Sequence, residues 1–294
     1  MVKTIDLNFL GIPKVIASYL IETAEGPILI ETGPHSTYPH LKRGIENAGY
    51  AVEDIQKVFL THIHLDHAGA AWAFAEHGAK IYLHPFGKPH MADPSKLMNS
   101  AKRIYQDKMD LLWGQMHSIP EDQLISVEHE EEIDLGDKKL VAQHTPGHAS
   151  HHIAWQLVDM LFTGDVGGVK IENGVVQAPC PPPDIDIEAW MNSLDIIRKI
   201  SPTKLMLTHY GEIFEVEKHL GQLEKSLMEW ANWMKPRFES GEDKEKVTEE
   251  FKDYVAEGLR EFGLDEHAIN QYEAANPAWM SVAGLMRYWK KKLS

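Results

Sequence analysis

The sequence predicts an α/β fold followed by a mainly helical segment, and two observations carry this prediction. Over about the first two hundred residues, short runs rich in Val, Ile and Leu alternate with short amphipathic patterns, and Gly, Pro and Asn separate them. Beyond Gly211 the chain keeps a helical spacing of Leu, Trp and Phe almost to its end. We therefore expect one domain over residues 1–211 and a C-terminal helical extension over residues 212–294.

Turn residues set the order of the elements in the first domain. Its first half is expected to contain strands at 15–22 and 27–31, a helix at 40–48, a strand at 57–62, a helix at 68–77 and a strand at 80–84. Its second half is expected to contain strands between 124 and 144, two more over 152–162, a hairpin over 170–177, a helix at 187–199 and a strand at 204–209. Between the halves, residues 93–117 are typical of a helical insertion, with apolar residues placed among charges.

Composition limits the class of protein and its partners. Of the 294 residues, 43% are hydrophobic and 25% charged, which is ordinary for a globular chain with a large core. The single cysteine, Cys180, excludes an internal disulfide and an all-cysteine metal site. The net charge of −15 disfavours a long nucleic acid or an anionic membrane as partner.

The location of the protein follows from what the sequence lacks. No segment approaches the roughly 20 apolar residues of a membrane span. The start of the chain is interrupted by Asp6, Asn8, Gly11 and Pro13, so it does not have the apolar run of a secretory signal. Together with the lone cysteine, this predicts a cytoplasmic protein.

Four residues with metal-binding side chains lie within one short segment. His62 ends the predicted strand 57–62, and His64, Asp66 and His67 follow it before a small-residue helix. Because side chains alternate along a strand, His62 and His64 are expected to point the same way, whereas Asp66 and His67 leave on a different vector. Two adjacent metal ions can use such pairs more easily than one ion can use all four residues.

Three later residues are placed to complete this site. His148, Asp165 and His209 each stand where an apolar strand opens into a loop, and loops at one edge of a rigid sheet commonly carry sites. Imidazole and carboxylate donors without thiolate suit zinc, iron or manganese.

In these residues and their order the chain resembles the metallo-β-lactamase superfamily of hydrolases. The resemblance rests on His-x-His-x-Asp-His, Pro-Gly-His, Gly-Asp and the final strand-end His, and it covers about residues 13–210. It implies an αββα sandwich with a dinuclear centre at one edge of the sheets. Carried over by position, it assigns His62, His64 and His148 to one metal, Asp66, His67 and His209 to the other, and Asp165 as a bridge.

The resemblance implies a dinuclear metal-dependent hydrolase. Two metals about 3.5–4 Å apart can hold a bridging hydroxide by lowering the pKa of water towards about 7. Asp66 is the expected catalytic residue, since it is placed to orient that hydroxide and accept its proton. The expected cofactor is two divalent ions, zinc first and iron or manganese as alternatives. The expected substrate is a small molecule, which can be anionic, with a thioester, lactone, carboxylic ester or phosphodiester bond.

Departures from the family pattern narrow this expectation. Glu31-Thr32-Gly33 stands where many relatives have Asp-Thr-Gly, and we expect its carboxylate to support the ligands rather than bind metal. The β-lactam-hydrolysing members with a metal-binding cysteine have it where this chain has Asp165, which argues against antibiotic hydrolysis. No tyrosine follows Asp165 closely, so the acyl-homoserine lactonase subtype loses support. The glyoxalase II subtype usually has basic residues that bind glutathione in a C-terminal helical part, and these cannot be placed in this sequence.

Several alternatives stay open at this point. A mononuclear iron persulfide dioxygenase would use a subset of the same seven ligands, and a non-catalytic metal-binding protein would need a degenerate site. Tyr210 and Cys180 are candidate substrate contacts, and His151 and His152 are expected to pack or hydrogen-bond rather than to bind metal. The insertion and the loop 176–184 are expected to form substrate walls, and the C-terminal helices either cover the site or form a homodimer contact.

Overall fold

Two six-stranded sheets face each other in the computed structural model, which describes residues 1–294. In each sheet, neighbouring strands are consecutive in the chain. The first sheet contains β1 (Val2–Asp6), β2 (Ala17–Thr23), β3 (Gly26–Ile30), β4 (Lys57–Phe59), β5 (Lys80–Leu83) and β6 (Leu124–Ser126). The second contains β7 (Glu132–Asp134), β8 (Lys139–His144), β9 (Ile153–Leu157), β10 (Met160–Phe162), β11 (Lys204–Leu207) and β12 (Gly211–Ile213).

Helices cover the outer faces of both sheets. Those of the first domain are α1 (Tyr38–Asn47), α2 (Leu65–Ala68), α3 (Ala71–Ala75), α4 (Lys88–Ala92), α5 (Ser95–Tyr105), α6 (Met109–Leu112) and α7 (Ile187–Ile200). The C-terminal helices are α8 (Val216–Glu239), α9 (Lys244–Glu261), α10 (Glu266–Ala275) and α11 (Ala278–Leu293). None of the eleven combines the length and the apolar character that a transmembrane helix requires.

Three apolar cores account for this layering. The inner faces of the two sheets meet around buried Tyr19, Phe59, Trp155 and Phe162. A second core lies between the first sheet and its helices, and a third joins the second sheet to α7 and the C-terminal helices. Apolar residues on both faces of each sheet therefore confirm the predicted αββα sandwich.

The strand expected at 57–62 is wrong at its end, since β4 stops at Phe59. The amide of Thr61 leaves the ladder and donates to Oε1 of Glu31 at 2.8 Å. His62 and His64 therefore lie on a loop rather than on a strand.

The hairpin expected at 170–177 is also wrong. The structure has only an isolated bridge between Val169 and Gln177. Within the segment, the hydroxyl of Tyr272 accepts from the Ile171 amide at 3.1 Å and donates to the Val175 carbonyl at 2.7 Å. A side chain of α10 thus replaces the pairing that a hairpin would make.

The sequence does not predict two of the short strands. The N-terminal β1 pairs antiparallel with β2, and β12 pairs antiparallel with β11. Because β12 extends the sheet to Ile213, the boundary expected at 211 divides a strand, and the helical extension begins at Val216.

Candidate metal centre

Strand ends at one edge of the sandwich carry the seven expected ligands. The loop after β4 and the short helix α2 carry His62, His64, Asp66 and His67. The other three follow β8, β10 and β11. Their donor atoms form three groups, each within 4.8 Å: His62, His64 and His148; His62, His67 and Asp165; and Asp66, His67 and His209.

Three histidine nitrogens converge in the first group. Nδ1 of His64 lies 2.9 Å from Nε2 of His62 and 3.0 Å from Nε2 of His148. His62 and His148 are each 1% exposed, and His64 is partly buried at the edge of a cleft.

The Asp165 carboxylate lies between this group and the residues of the third. Its Oδ2 is 3.3 Å from Nε2 of His148, and its Oδ1 is 3.2 Å from Nε2 of His67 and 3.4 Å from Nε2 of His209. Oδ2 of Asp66 stands 3.7 Å from Nε2 of His67. One carboxylate thus faces nitrogens of both ligand sets, which is the placement expected of a bridging ligand.

Unpartnered buried atoms test whether these residues fit a cation. Nε2 of His67, Oδ1 of Asp165 and Nε2 of His209 are buried without a hydrogen-bond partner of acceptable geometry. Buried polar atoms nearly always have a hydrogen-bond partner. Three such atoms that face the same point without a partner therefore need an explanation. A cation among them supplies it, and the nitrogen and oxygen donors suit zinc, iron or manganese.

The outer nitrogens of the ligand histidines are fixed by the protein. Nδ1 faces an oxygen at 2.8–3.0 Å in four cases: Thr61 Oγ1 for His62, Glu31 Oε2 for His67, the Pro179 carbonyl for His148 and the Val15 carbonyl for His209. A proton held on Nδ1 by these acceptors leaves the lone pair of Nε2 facing inward, as metal coordination requires.

Glu31 is the supporting carboxylate expected from the sequence. It is 1% exposed, and its two oxygens accept from the Thr61 amide and from Nδ1 of His67, each at 2.8 Å. It therefore fixes both the loop that carries His62 and the orientation of His67.

The protonation states of the cluster also suit a cation. Burial lowers the pKa of His62 well below its usual value and that of His64 to about 3, so both imidazoles are neutral. Burial opposes ionisation of Asp66, but the neighbouring His67 and His209 together outweigh it and lower the Asp66 pKa to about 2. Neutral imidazoles and ionised carboxylates are the forms that bind metal, so His62, His64 and Asp66 are already in the binding form. Burial lowers the pKa of His67 and His209, but the neighbouring carboxylates outweigh it and raise both, so a cation would displace a proton from each of these rings.

Two glycines allow the ligand loops to approach their supports. Gly147 has φ +140°, and a Cβ there would lie 2.3 Å from Cα of Trp190. Gly164 has φ +50°, and a Cβ there would lie 2.5 Å from Oγ1 of Thr61. Larger residues would displace the loops that carry His148 and Asp165.

The two remaining histidines of this region fall outside the three groups. His152 is fully buried, and its Nδ1 lies 2.9 Å from Oγ1 of Thr145. Its Nε2 accepts from the Val166 amide at 3.4 Å, next to Asp165. The ring of His151 lies 5.9 Å from that of His64, and its Nδ1 has no partner.

A cleft of about 910 Å³ opens above the cluster, with His64, Asp66, Asp165 and His209 among the residues that line it. Its walls come from the loop after β1, from helix α5 and the chain that follows it, from the prolines of the loop 179–183, and from α10 and the start of α11. The insertion and the proline loop thus lie where the sequence predicts substrate walls. The C-terminal helices cover the site, and a homodimer stays a prediction.

The two candidate substrate contacts do not line this cleft. Cys180 is 0% exposed and packs in the core with apolar residues of α8 and α11, and its backbone amide donates to Oγ of Ser281. Tyr210 stands directly before β12 and packs against the core between the sheets.

Sequence reasoning missed the aromatic residues of the walls. Tyr105, Trp113 and Trp279 line the cleft, whereas a tryptophan in an amphipathic segment is more often a core residue. One feature of the sequence could have indicated this wall. Helix α5 has an apolar face, but the insertion that contains it has no strand on which that face could pack.

Comparison with known proteins agrees with this geometry. The sequence profile described as "Metallo-beta-lactamase superfamily" matches residues 11–209. The metallo-beta-lactamase fold-containing protein ST1585 of Sulfurisphaera tokodaii is 33% identical over 178 residues, which cover 58% of this chain and 67% of that protein. Its crystal structure superposes with a TM-score of 0.64 at 28% identity, over 75% of this chain and 85% of that one.

Two further matches extend the comparison. The metallo-beta-lactamase family protein TTHA1429 of Thermus thermophilus superposes with a TM-score of 0.65 over 94% of this chain and 89% of its own, and at 18% identity it shows the fold alone. An N-acyl homoserine lactonase of Bacillus cereus is 31% identical over 91 residues, which are 23% of this chain and 36% of that enzyme.

Proposed function

Since this chain belongs to the metallo-β-lactamase superfamily, we propose that it is a dinuclear metal-dependent hydrolase that cleaves an ester-type bond of a small molecule. One observation carries the proposal. The Asp165 carboxylate lies within 3.2–3.4 Å of histidine nitrogens from both ligand sets. A carboxylate shared by two ions would occupy that position.

The ligand assignment follows the observed groups. His62, His64 and His148 would hold one ion, Asp66, His67 and His209 the other, and Asp165 both. Two divalent ions held there, zinc by preference, would supply a water of lowered pKa and a Lewis acid for the scissile bond.

Asp66 is the residue we assign to proton handling. Its side chain is 24% exposed and lines the cleft, whereas that of Asp165 is 6% exposed. With its pKa lowered to about 2, Asp66 is ionised and accepts a hydrogen bond from the attacking water, which orients it. Hydrolysis then adds one water: its oxygen bonds to the acyl carbon, the bond from that carbon to the leaving oxygen or sulfur breaks, and the proton goes to the leaving group.

A second candidate has an observation of its own. Asp66, His67 and His209 form a group of two histidines and one carboxylate, the donor set of non-haem Fe(II) oxygenases. A mononuclear iron persulfide dioxygenase is the corresponding function.

Metal analysis combined with a substrate panel tests the proposal. Protein purified both aerobically and anaerobically is assayed on thioesters, lactones, carboxylic esters, phosphodiesters and a β-lactam, with a persulfide as redox control. We expect about two transition metals per chain and hydrolysis that chelation abolishes and metal restores. Fewer than one metal per chain would refute the proposal, and one iron per chain with oxygen uptake on persulfide would establish the second candidate.

A further inference from the structure

The walls of the cleft are suited to hydrocarbon rather than to charge. We propose that the substrate is a carboxylic ester or lactone with a neutral apolar acyl chain, which lies along these walls while the ester reaches the ligand cluster. The type of bond that is cleaved is inferred from the proposed function, whereas the apolar acyl chain is inferred from the lining of the cleft alone.

Four aromatic rings form a continuous strip along the cleft. Phe9 and Trp113 stack with ring centroids 5.9 Å apart, Trp113 and Tyr105 meet edge to face at 5.0 Å, and Tyr105 and Trp279 at 5.6 Å. The rings of this aromatic strip come from the N-terminal loop, the insertion and α11. All four line the cleft, so three separate parts of the chain present an apolar surface to the same space.

Helix α5 adds a second apolar surface. Leu97, Ala101, Ile104 and Tyr105 follow helical spacing and line the cleft. Ile104 is 47% exposed although it belongs to this face, and Leu10 of the N-terminal loop is 43% exposed in the same cleft. Exposed apolar side chains gathered in a concave site are typical of a binding surface for an apolar ligand.

The charges of the cleft argue against a polyanionic substrate. Lys108 is the only lysine or arginine that lines it, and Asp107 and Glu273 add two carboxyl groups to the walls. Asp66 and Asp165 also line the cleft, but as proposed ligands they would be neutralised by the metal ions. A nucleotide or a glutathione thioester carries anionic groups beyond the reacting bond and is normally held by several cationic side chains. The volume, about 910 Å³, is ample for a medium-length acyl chain in a small-molecule site.

A chain-length series tests the proposal on the metal-loaded protein. We expect kcat/KM for p-nitrophenyl esters to rise at least tenfold from acetate to octanoate, because each fully buried methylene contributes about fourfold. A series that is flat or falls with length would overturn the proposal, as would a preference for glutathione thioesters or nucleotide phosphodiesters.

Binding to the metal-free protein gives a readout independent of hydrolysis. Octanamide should quench or shift the tryptophan fluorescence through Trp113 and Trp279, and acetamide at the same concentration should not. If octanamide binds but no ester is hydrolysed, the proposed function fails and the apolar site stands. If esters are hydrolysed without chain-length dependence and octanamide does not bind, the apolar site fails alone.

Two matched variants locate the effect. Ile104→Glu places a charge in the cleft, and Leu111→Glu places one on the same insertion at a side chain that is 66% exposed and outside the cleft. We expect Ile104→Glu to lower octanoate kcat/KM at least tenfold more than acetate kcat/KM, with unchanged metal content, and Leu111→Glu to change none of the three. Equal effects of the two variants would refute the proposal, as would a concentration-dependent dimer that Ile104→Glu dissociates, since the apolar face would then be a contact between copies.

Discussion

The cleft has a floor and walls that are built in different ways. The floor is the cluster of the seven candidate ligands: His62, His64, Asp66, His67, His148, Asp165 and His209. On the floor, His62, His67, His148 and His209 are at most 1% exposed, and an oxygen of the protein lies against each outer nitrogen. In the walls, Leu10 and Ile104 are more than 40% exposed and make no polar contact through their side chains. The floor thus consists of buried polar side chains held by hydrogen bonds, whereas the walls present exposed apolar side chains to the cleft.

This difference separates chemistry from selectivity. The floor lies within the matched residues 11–209, whereas much of the wall comes from α10 and α11, beyond that match. Rigid strand ends can keep metal ligands in place while added helices change what reaches them. Changes to the floor should therefore alter metal content, and changes to the walls should alter substrate preference.

The largest effect is expected from Asp165→Ala. Its carboxylate faces both ligand sets, so its loss should lower metal stoichiometry and reduce activity by more than about 100-fold, the upper range for residues that only support ligands. Elemental analysis and hydrolysis rates measure both. Asp122→Ala, at a surface carboxylate with an 82% exposed side chain, is the control and should change neither. Unchanged activity in Asp165→Ala would refute the bridging role.

Glu31→Gln should have the next largest effect. The amide keeps the size of the side chain but can offer only one acceptor oxygen to the Thr61 amide and the His67 ring. We expect metal affinity or activity to fall about 10–100-fold, which is typical when a ligand histidine loses its orienting partner. Metal titration measures the change, and Glu22→Gln on the surface of β2 serves as control. Equal metal affinity in both variants would show that Glu31 does not orient His67.

Much of the floor could be predicted from the sequence, because each ligand follows an apolar run and strand ends meet at one edge of the sandwich. The exact end of β4 could not, since it depends on Glu31 capturing the Thr61 amide from 30 residues away. The hairpin at 170–177 failed for a similar reason, because Tyr272 of α10 binds its backbone. Contacts between distant segments leave no periodic pattern in the sequence.

The walls were predictable only in outline. Helical spacing in the insertion gives its elements, but the same pattern in Leu97, Ala101 and Ile104 fits a core face as well as a cleft face. Only the assembled fold shows which segments pack around α5. The prediction for Cys180 failed for the same reason, since a proline-rich loop can present alternate residues to the cleft and to the core.

Gly147→Ala tests whether the floor depends on its packing against α7. A Cβ at this position would lie 2.3–2.5 Å from backbone and side-chain atoms of Trp190, so the loop carrying His148 must move. We expect a loss of about 1–3 kcal/mol in the free energy of unfolding, together with weaker metal binding. Denaturant unfolding and metal titration measure the two effects.

Gly221 provides a matched control for that substitution. It lies in α8, and a Cβ there would meet no atom within 4 Å. Gly221→Ala should therefore stabilise the protein by up to about 1 kcal/mol through helix propensity, with unchanged metal affinity. If both glycine variants bind metal equally well, metal binding tolerates movement of the loop that carries His148. The floor would then not need the rigid strand ends that distinguish it from the walls.

The smallest effect is expected from Cys180→Ala. This variant tests whether the thiol in the proline loop of the wall takes part in the reaction. Burial raises the pKa of the Cys180 thiol, and the thiol is 0% exposed, so the nucleophilic thiolate is neither formed nor accessible in the folded protein. We expect activity and metal content within about twofold of the unmodified chain and a stability loss of about 1 kcal/mol. A thiol reagent should label the chain in denaturant and leave the native protein unlabelled. A tenfold loss of activity with full metal content would instead place this residue in the reaction, and the walls would then share the chemistry that we propose for the floor.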